Sequence, residues 1–186
     1  MKFTMIVIGL LGLFIVPGFA DYNINISDDN NVAGSGQQSV SVNNEHNVAN
    51  VDNNNGWDSW NALWDYENSF AATRLFAKKT CIVHKMNKDV MPSIQALDAL
   101  VKEKKLQGKE PRGPSPKDLM YSINPNKMED LSRFGTKIAG MCQGLPTYFA
   151  EEVPGSNLPF YSKKCYTANI LWILNMSFCG STVEQF

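Results

Sequence analysis

Four cysteines, Cys81, Cys142, Cys165 and Cys179, lie behind a segment built like an export leader, and together these limit the fold more than anything else in the chain. Residues 1–20 carry the marks of a signal peptide. Lys2 is a short positive start, Met5 to Val16 is an apolar run interrupted by Gly9 and Gly12, and Pro17-Gly18-Phe19-Ala20 offers small residues for cleavage after Ala20. The apolar run is shorter than the roughly 20 residues a membrane span needs. The mature chain is therefore expected to be exported and not membrane-spanning. In an oxidising compartment an even cysteine count argues for two disulfides. Four cysteines allow three pairings. Proximity favours Cys165–Cys179 and leaves Cys81–Cys142 as a long bridge. The chain-entropy view assigns about 4 kcal/mol to the long loop and about 3 to the short one. No Cys-x-x-Cys pair exists, so the spacings suit no common zinc module.

The rest of the chain is long enough for one domain with a modest core and tails. Seventeen Lys and Arg against 18 Asp and Glu leave a net charge of −1, which gives no argument for nucleic acid. Residues 21–55 form an Asn-rich polar region. Val40 and Val42 alternate with Ser, and Val48 and Val51 follow an Asn-rich turn, so a weakly ordered β segment is read here rather than full disorder. From Gly56 the composition shifts. Trp57, Trp60 and Trp64, then Tyr66, Phe70, Leu75 and Phe76, argue for strands broken by a turn at Glu67-Asn68-Ser69. Thr80 to Met86 reads as a further strand.

Pro92 suits a helix's first turn, and Ile94, Leu97 and Val101 share a face, so a first helix is expected to run to about Gly108. Residues 108–116, rich in Gly and Pro, read as a loop. Leu119 to Ile123 reads as a short strand ended at Asn124-Pro125. Asn126 with Glu129 suggests a capping box opening a second helix that carries Leu131, Phe134, Ile138 and Met141 and delivers Cys142. Thr147 to Ala150 reads as a strand. Phe160 to Phe178 is the most β-prone stretch, which a Cys165–Cys179 bridge would close as a loop or hairpin. The order β, β, α, β, α, β, β predicts an α+β domain around an antiparallel sheet.

The spaced trio Asp65, Cys81 and Cys142, the Met91-Pro92-Ser93-Ile94 helix entry and the Cys142-x-Gly144-x-Pro146-x-Tyr148 segment resemble the BRICHOS domain. The leader, Tyr22-Asn23-Ile24-Asn25, Gly34-Ser35-Gly36-Gln37-Gln38, the triple-Trp segment and the C-terminal cysteine pair resemble, more narrowly, the gastrokine group. The resemblance implies a BRICHOS domain at 56–152, followed by a β-prone C-terminal region at 153–186. It implies a central antiparallel sheet flanked by two helices, with a Cys81–Cys142 disulfide. It also implies a non-enzymatic protein of the gastric mucosa, passing through the Golgi and secretory granules into mucus. Its implied roles are to stimulate growth of gastric epithelium, to protect it, and to hold aggregation-prone β segments. Expected partners are such segments, an epithelial receptor or, in the alternative reading as a structural mucus component, mucosal glycoproteins. The reading leaves room for a homo-oligomer. No cofactor is expected.

Several residues carry two readings. Asp65 is either a partly buried carboxyl whose protonation tunes opening or assembly, or a hydrogen-bonded structural Asp beside aromatics. His84 lies three residues after Cys81, but with that cysteine bridged it reads as a strand histidine with no catalytic role. Trp57, Trp60 and Trp64 are a ligand platform or sheet packing; Trp60 and Trp64 share a face on a strand, and Trp57 joins them only on a helix. Lys102, Lys104, Lys105, Lys109, Arg112 and Lys117 are a receptor-facing patch or a solvated face. Asn25 and Asn175 head N-glycosylation sequons, the first accessible, the second inside the apolar C-terminal stretch. Two histidines and bridged cysteines assemble no base–nucleophile pair, so an enzyme is not expected.

Overall fold

The computed structural model describes residues 20–25, 37–107, 116–154 and 164–180. Residues 1–19 of the leader, with the cleavage expected to follow it, and most of the loop at 108–116 lie outside them. The elements are β1 (Ala20–Asn25), β2 (Gln37–Asn43), β3 (Val48–Asn54), β4 (Trp60–Asp65), β5 (Phe70–Leu75), β6 (Thr80–Lys85), α1 (Ile94–Gln107), β7 (Lys117–Lys127), α2 (Thr136–Cys142), β8 (Thr147–Glu152), β9 (Cys165–Ile170) and β10 (Leu174–Cys179).

Among the described residues the ten strands form one sheet in the order β1-β2-β3-β4-β5-β6-β8-β7-β10-β9. The expected antiparallel sheet needs a correction: β6 pairs with β8, and β10 with β7, in parallel. Each parallel pair is joined by a connection that carries the chain past other elements, as parallel pairing requires. Everything else is antiparallel. The sheet curls until its two ends meet. The Gln38 amide of β2 donates to the Asn169 carbonyl at 2.7 Å, and its oxygen accepts from the Leu171 N–H at 2.8 Å.

Alternation sorts the side chains between the faces of the curl. Val40, Val42, Val51, Trp60, Trp64, Leu75, Ile82, Tyr121, Ile123, Met176 and Phe178 point inward and are buried together. α1 adds Ile94, Leu97 and Val101 to that inner core. Ser93 caps α1, its hydroxyl accepting from the Ala96 N–H at 3.2 Å, so Pro92 precedes the helix rather than opening it. The outer face carries a second cluster, Ala72, Cys81, Val83, Phe134, Ile138 and Cys142, beneath α2.

The Asn-rich segment forms full strands because its two faces do different work. Val40, Val42, Ala49 and Val51 are buried inside. Outside, Asn61 donates to Asn50 at 2.8 Å and to Asp52 at 2.7 Å, a side-chain ladder across β3 and β4. Asn43 turns the β2–β3 hairpin by accepting from the Glu45 and His46 N–H groups, each at 3.0 Å.

The expected break at Asn124-Pro125 is also corrected. β7 runs through it to Lys127, and the pairing with β8 shifts register between Ile123 and Lys127. Pro125 therefore sits where no ladder hydrogen bond is needed, the position a strand proline tolerates. Asn126 caps no helix. α2 starts only at Thr136 with Gly135 as its N-cap, and Phe134 lies in a separate short turn at Ser132–Phe134.

Candidate functional site

The Asp65, Cys81 and Cys142 trio converges on α2. Cys142, in its last turn, is bonded to Cys81 on the outer face of β6, with Cα atoms 5.6 Å apart. Asp65 ends β4 and is wholly buried. Its Oδ2 accepts from the Asn68 side-chain amide at 2.7 Å, and its Oδ1 takes the Asn68 backbone N–H at 3.3 Å. Lys137, in the first turn of α2, reaches Asp65 Oδ1 at 3.5 Å and Glu67 Oε2 at 2.9 Å. The Glu67 hydrogen bond, helped by the charges of Asp65 and Glu67 and opposed by desolvation, holds the Lys137 ammonium above the ordinary lysine range. Gly135 has φ +89°, and a Cβ there would run into the Asn68 amide. α2 is thus fastened at its start by an ion-pair cluster and at its end by a covalent bond.

Beside α2 the outer face opens into a groove of about 810 Å³. Phe70, Phe134 and Phe149 form its aromatic floor: Phe70 and Phe134 meet edge-on at 5.0 Å, and Phe134 and Phe149 stack at 5.8 Å. Arg133 lies over Phe134 at 4.7 Å. Lys127, Glu129, Asp130 and Glu151 line the rim with both charge signs. Hydrogen bonds from Ser132 keep Asp130 below the usual carboxylate range, so it stays anionic. One wall is the irregular part of β7. Asn124–Asn126 pair with β8 on neither side of the register shift, and β10 stops opposite Ser122. Among the described residues this short strand edge has no ladder partner.

The remaining sequence candidates scatter. Cys165 and Cys179 face each other across the β9–β10 hairpin and are bonded, Cα atoms 4.1 Å apart. Trp60 and Trp64 are buried on the inner face and only Trp57 is exposed, in the short turn Gly56–Asp58, so the three form no common platform. His84 is fully buried inside the curl, its ring 4.2 Å from Tyr121 and 5.6 Å from Phe178. Asn25 ends β1, paired with Gln37. Asn175 points outward on β10, half-buried, donating to Asp118 at 2.9 Å. Of the basic run, Lys102 pairs with Asp98 one turn back along α1 and Lys117 is exposed at the start of β7, while Lys109 and Arg112 lie outside the described residues. Among the described residues no group of three or more His, Cys, Asp or Glu side chains could hold a metal ion, and no helix is long and apolar enough to cross a membrane.

The groove itself was not found from sequence. Phe70, Phe134 and Phe149 come from three separate elements, and only the long disulfide hinted that α2 and β6 meet. Lys137 had one available signal, its place one helical turn and a half before Cys142.

Comparison with known proteins gives a consistent result. The BRICHOS domain profile matches residues 56–149. Gastrokine-1 of Mus musculus is 71% identical over 187 residues and gastrokine-1 of Homo sapiens 73% identical over 185, each match covering 100% of both chains. Gastrokine-3 of Mus musculus is 29% identical over 175 residues, 92% of this chain and 87% of that one. No solved structure matches the chain.

Proposed function

The chain belongs to the BRICHOS family, in its gastrokine group, and we propose that it is a secreted gastric mucosal protein that shields β-prone polypeptide segments in the groove beside α2. The observation that carries this reading is the meeting of an aromatic floor with an unpaired strand edge. An extended segment can donate to the backbone carbonyls along Asn124–Asn126, a stretch with no ladder partner among the described residues in which Pro125 has no N–H and the Asn126 N–H is held by the Asn124 side chain at 3.0 Å, while alternate side chains enter between Phe70, Phe134 and Phe149. The mixed charges of the rim admit segments of either sign. Two disulfides suit an extracellular setting. Holding such segments out of aggregates is a physical route to protecting an epithelium. Growth stimulation of that epithelium is a separate arm of the proposal, carried by the family alone.

The test follows fibril formation by an unrelated amyloid peptide with and without the oxidised protein. A delay at substoichiometric ratio is expected, and it should largely vanish in Phe149→Ser, which changes a half-buried floor residue. Fibrils forming at the same rate with and without protein sink the reading. Epithelial cell growth, measured with the same two proteins, separates the two arms: if growth stimulation survives Phe149→Ser, the groove does not carry it.

A further inference from the structure

A second hollow lies where the curl closes, and it shares no residue with the groove. Its volume is about 350 Å³, at the small end of the range for ligand sites. Gln38, Asn53, Asn55, Asp58 and Asn169 provide the polar wall, and Trp60 and Tyr166 the aromatic part.

The wall combines fixed and free groups. Gln38 commits one amide hydrogen and its oxygen to the β9–β10 end, which ties the two sides of the hollow together. The Asp58 carbonyl receives only long contacts, from the Asn53 amide at 3.5 Å and the Tyr166 hydroxyl at 3.4 Å. At those lengths both donors can turn to a better acceptor at small cost. The side-chain amides of Asn55 and Asn169 are engaged by no other described residue. The charge balance is selective. Among the described residues one carboxylate, Asp58, and no Lys, Arg or His line the hollow, so phosphate, sulfate and acidic sugars are disfavoured. A single carboxylate is too few for a bound calcium ion. What remains is a neutral ligand rich in hydroxyls, because a carboxamide sets a donor and an acceptor side by side and a carboxylate accepts twice.

Between the lining residues Asn55 and Asp58 the chain carries Trp57, 87% exposed. The turn that carries it is fixed on both sides: the Ser59 hydroxyl donates to the Gly56 carbonyl at 2.7 Å and accepts from the Asn55 N–H at 3.0 Å. A solvent-facing indole, next in the chain to a polar hollow with a single carboxylate, offers the flat apolar surface that the C–H face of a sugar ring covers.

We propose that this hollow binds the neutral end of a glycan, an uncharged hexose or N-acetylhexosamine, with Trp57 against the ring face and Asn55, Asp58 and Asn169 on its hydroxyls. The site does not depend on segment capture in the groove and stands if that reading fails. A ligand with so few atoms binds at roughly millimolar strength as a single ring. Multivalent display, as on a densely glycosylated polymer, raises that by avidity.

The test is a two-dimensional proton–nitrogen NMR titration of the protein with the methyl glycosides of galactose, N-acetylgalactosamine and N-acetylglucosamine. Free galactose, sialic acid and a β-prone hexapeptide run in parallel. At least one glycoside should give saturable shifts at the Trp57 indole and the Asn55 and Asn169 amides, and sialic acid should give none. Trp57→Ala and Asn169→Ala, both changes at exposed residues, should each weaken binding about tenfold or more while the rest of the spectrum stays unchanged. No saturable shift with any glycoside overturns the proposal. So does equal binding by both variants, a response to the hexapeptide alone, or a preference for the free sugar over its glycoside.

Discussion

His84 is buried among Tyr121 and Phe178, with Nδ1 3.0 Å from the Lys85 carbonyl. Neither its Nε2 nor the Tyr121 hydroxyl has a hydrogen-bond partner among the described residues. Desolvation lowers the imidazole pKa from 6.5 to about 4, opposed by the Lys85 hydrogen bond. A lowered folded pKa means the unfolded chain takes up the proton first. The stabilisation from a neutral His84 is therefore complete above pH 6.5 and is lost as pH falls toward 4, about 3 kcal/mol over the whole window. Urea unfolding at a series of pH values should show this slope, and His84→Phe should flatten it; an identical acid limb in the variant would contradict the account. Gly135 makes a second point at this scale. With φ +89° and Asn68 against the missing Cβ, Gly135→Ala should cost about 1–3 kcal/mol in thermal or urea unfolding, because strain and a displaced Asn68 both loosen the anchor of Asp65. Nothing in the residue order marks either site. The burial of His84 depends on β7 and β10, which approach it from far along the chain.

Among the elements, β7 holds the sharpest difference between local signals and the fold. Asn124-Pro125-Asn126 is a strong stop by turn chemistry, yet the strand continues because partners on either side of the break, Ile123 with Ala150 and Lys127 with Tyr148, hold both ends. Tertiary pairing overrides a local preference worth only about 1 kcal/mol. Pro125 then limits what the edge can pair with, since it leaves carbonyls to accept from a segment but offers no N–H for a full ladder with another chain. Pro125→Val should restore a pairing edge and raise self-association in sedimentation experiments; a sedimentation profile matching the parent protein would remove that role. The Asn-rich hairpin shows the opposite balance. The alternation of Val40 and Val42 with Ser was legible, and so were the spacing of Ile94, Leu97 and Val101 and the turn at Glu67-Asn68-Ser69. The amide ladder that lets Asn50 and Asn61 sit in strands was not, because it needs the register of β3 against β4.

At the scale of the molecule, one sheet bends around an inner core and carries a smaller outer cluster under α2. Strand content and cysteine spacing were enough to expect an α+β fold. The two parallel joints, the curl and the groove rest on contacts distant in sequence, for which a single chain's pattern carries no signal. The trio recognised in the sequence proves to be a pair of fasteners: Asp65 with Lys137 at one end of α2, Cys81–Cys142 at the other. Phe134 leads into that helix and forms part of the groove floor, so the groove's shape depends on both fasteners. Truncating Asp65 strands the Lys137 and Asn68 groups it satisfies, at about 2 kcal/mol.

Hydrogen exchange of the amides from Phe134 to Gln143 in the oxidised protein and in Asp65→Ala tests this arrangement most directly. The account predicts that exchange here accelerates roughly tenfold or more in the variant while the β2–β4 amides keep their protection, a local release of α2 with the sheet intact. Unchanged exchange in α2, or a uniform acceleration across the whole sheet, would contradict it.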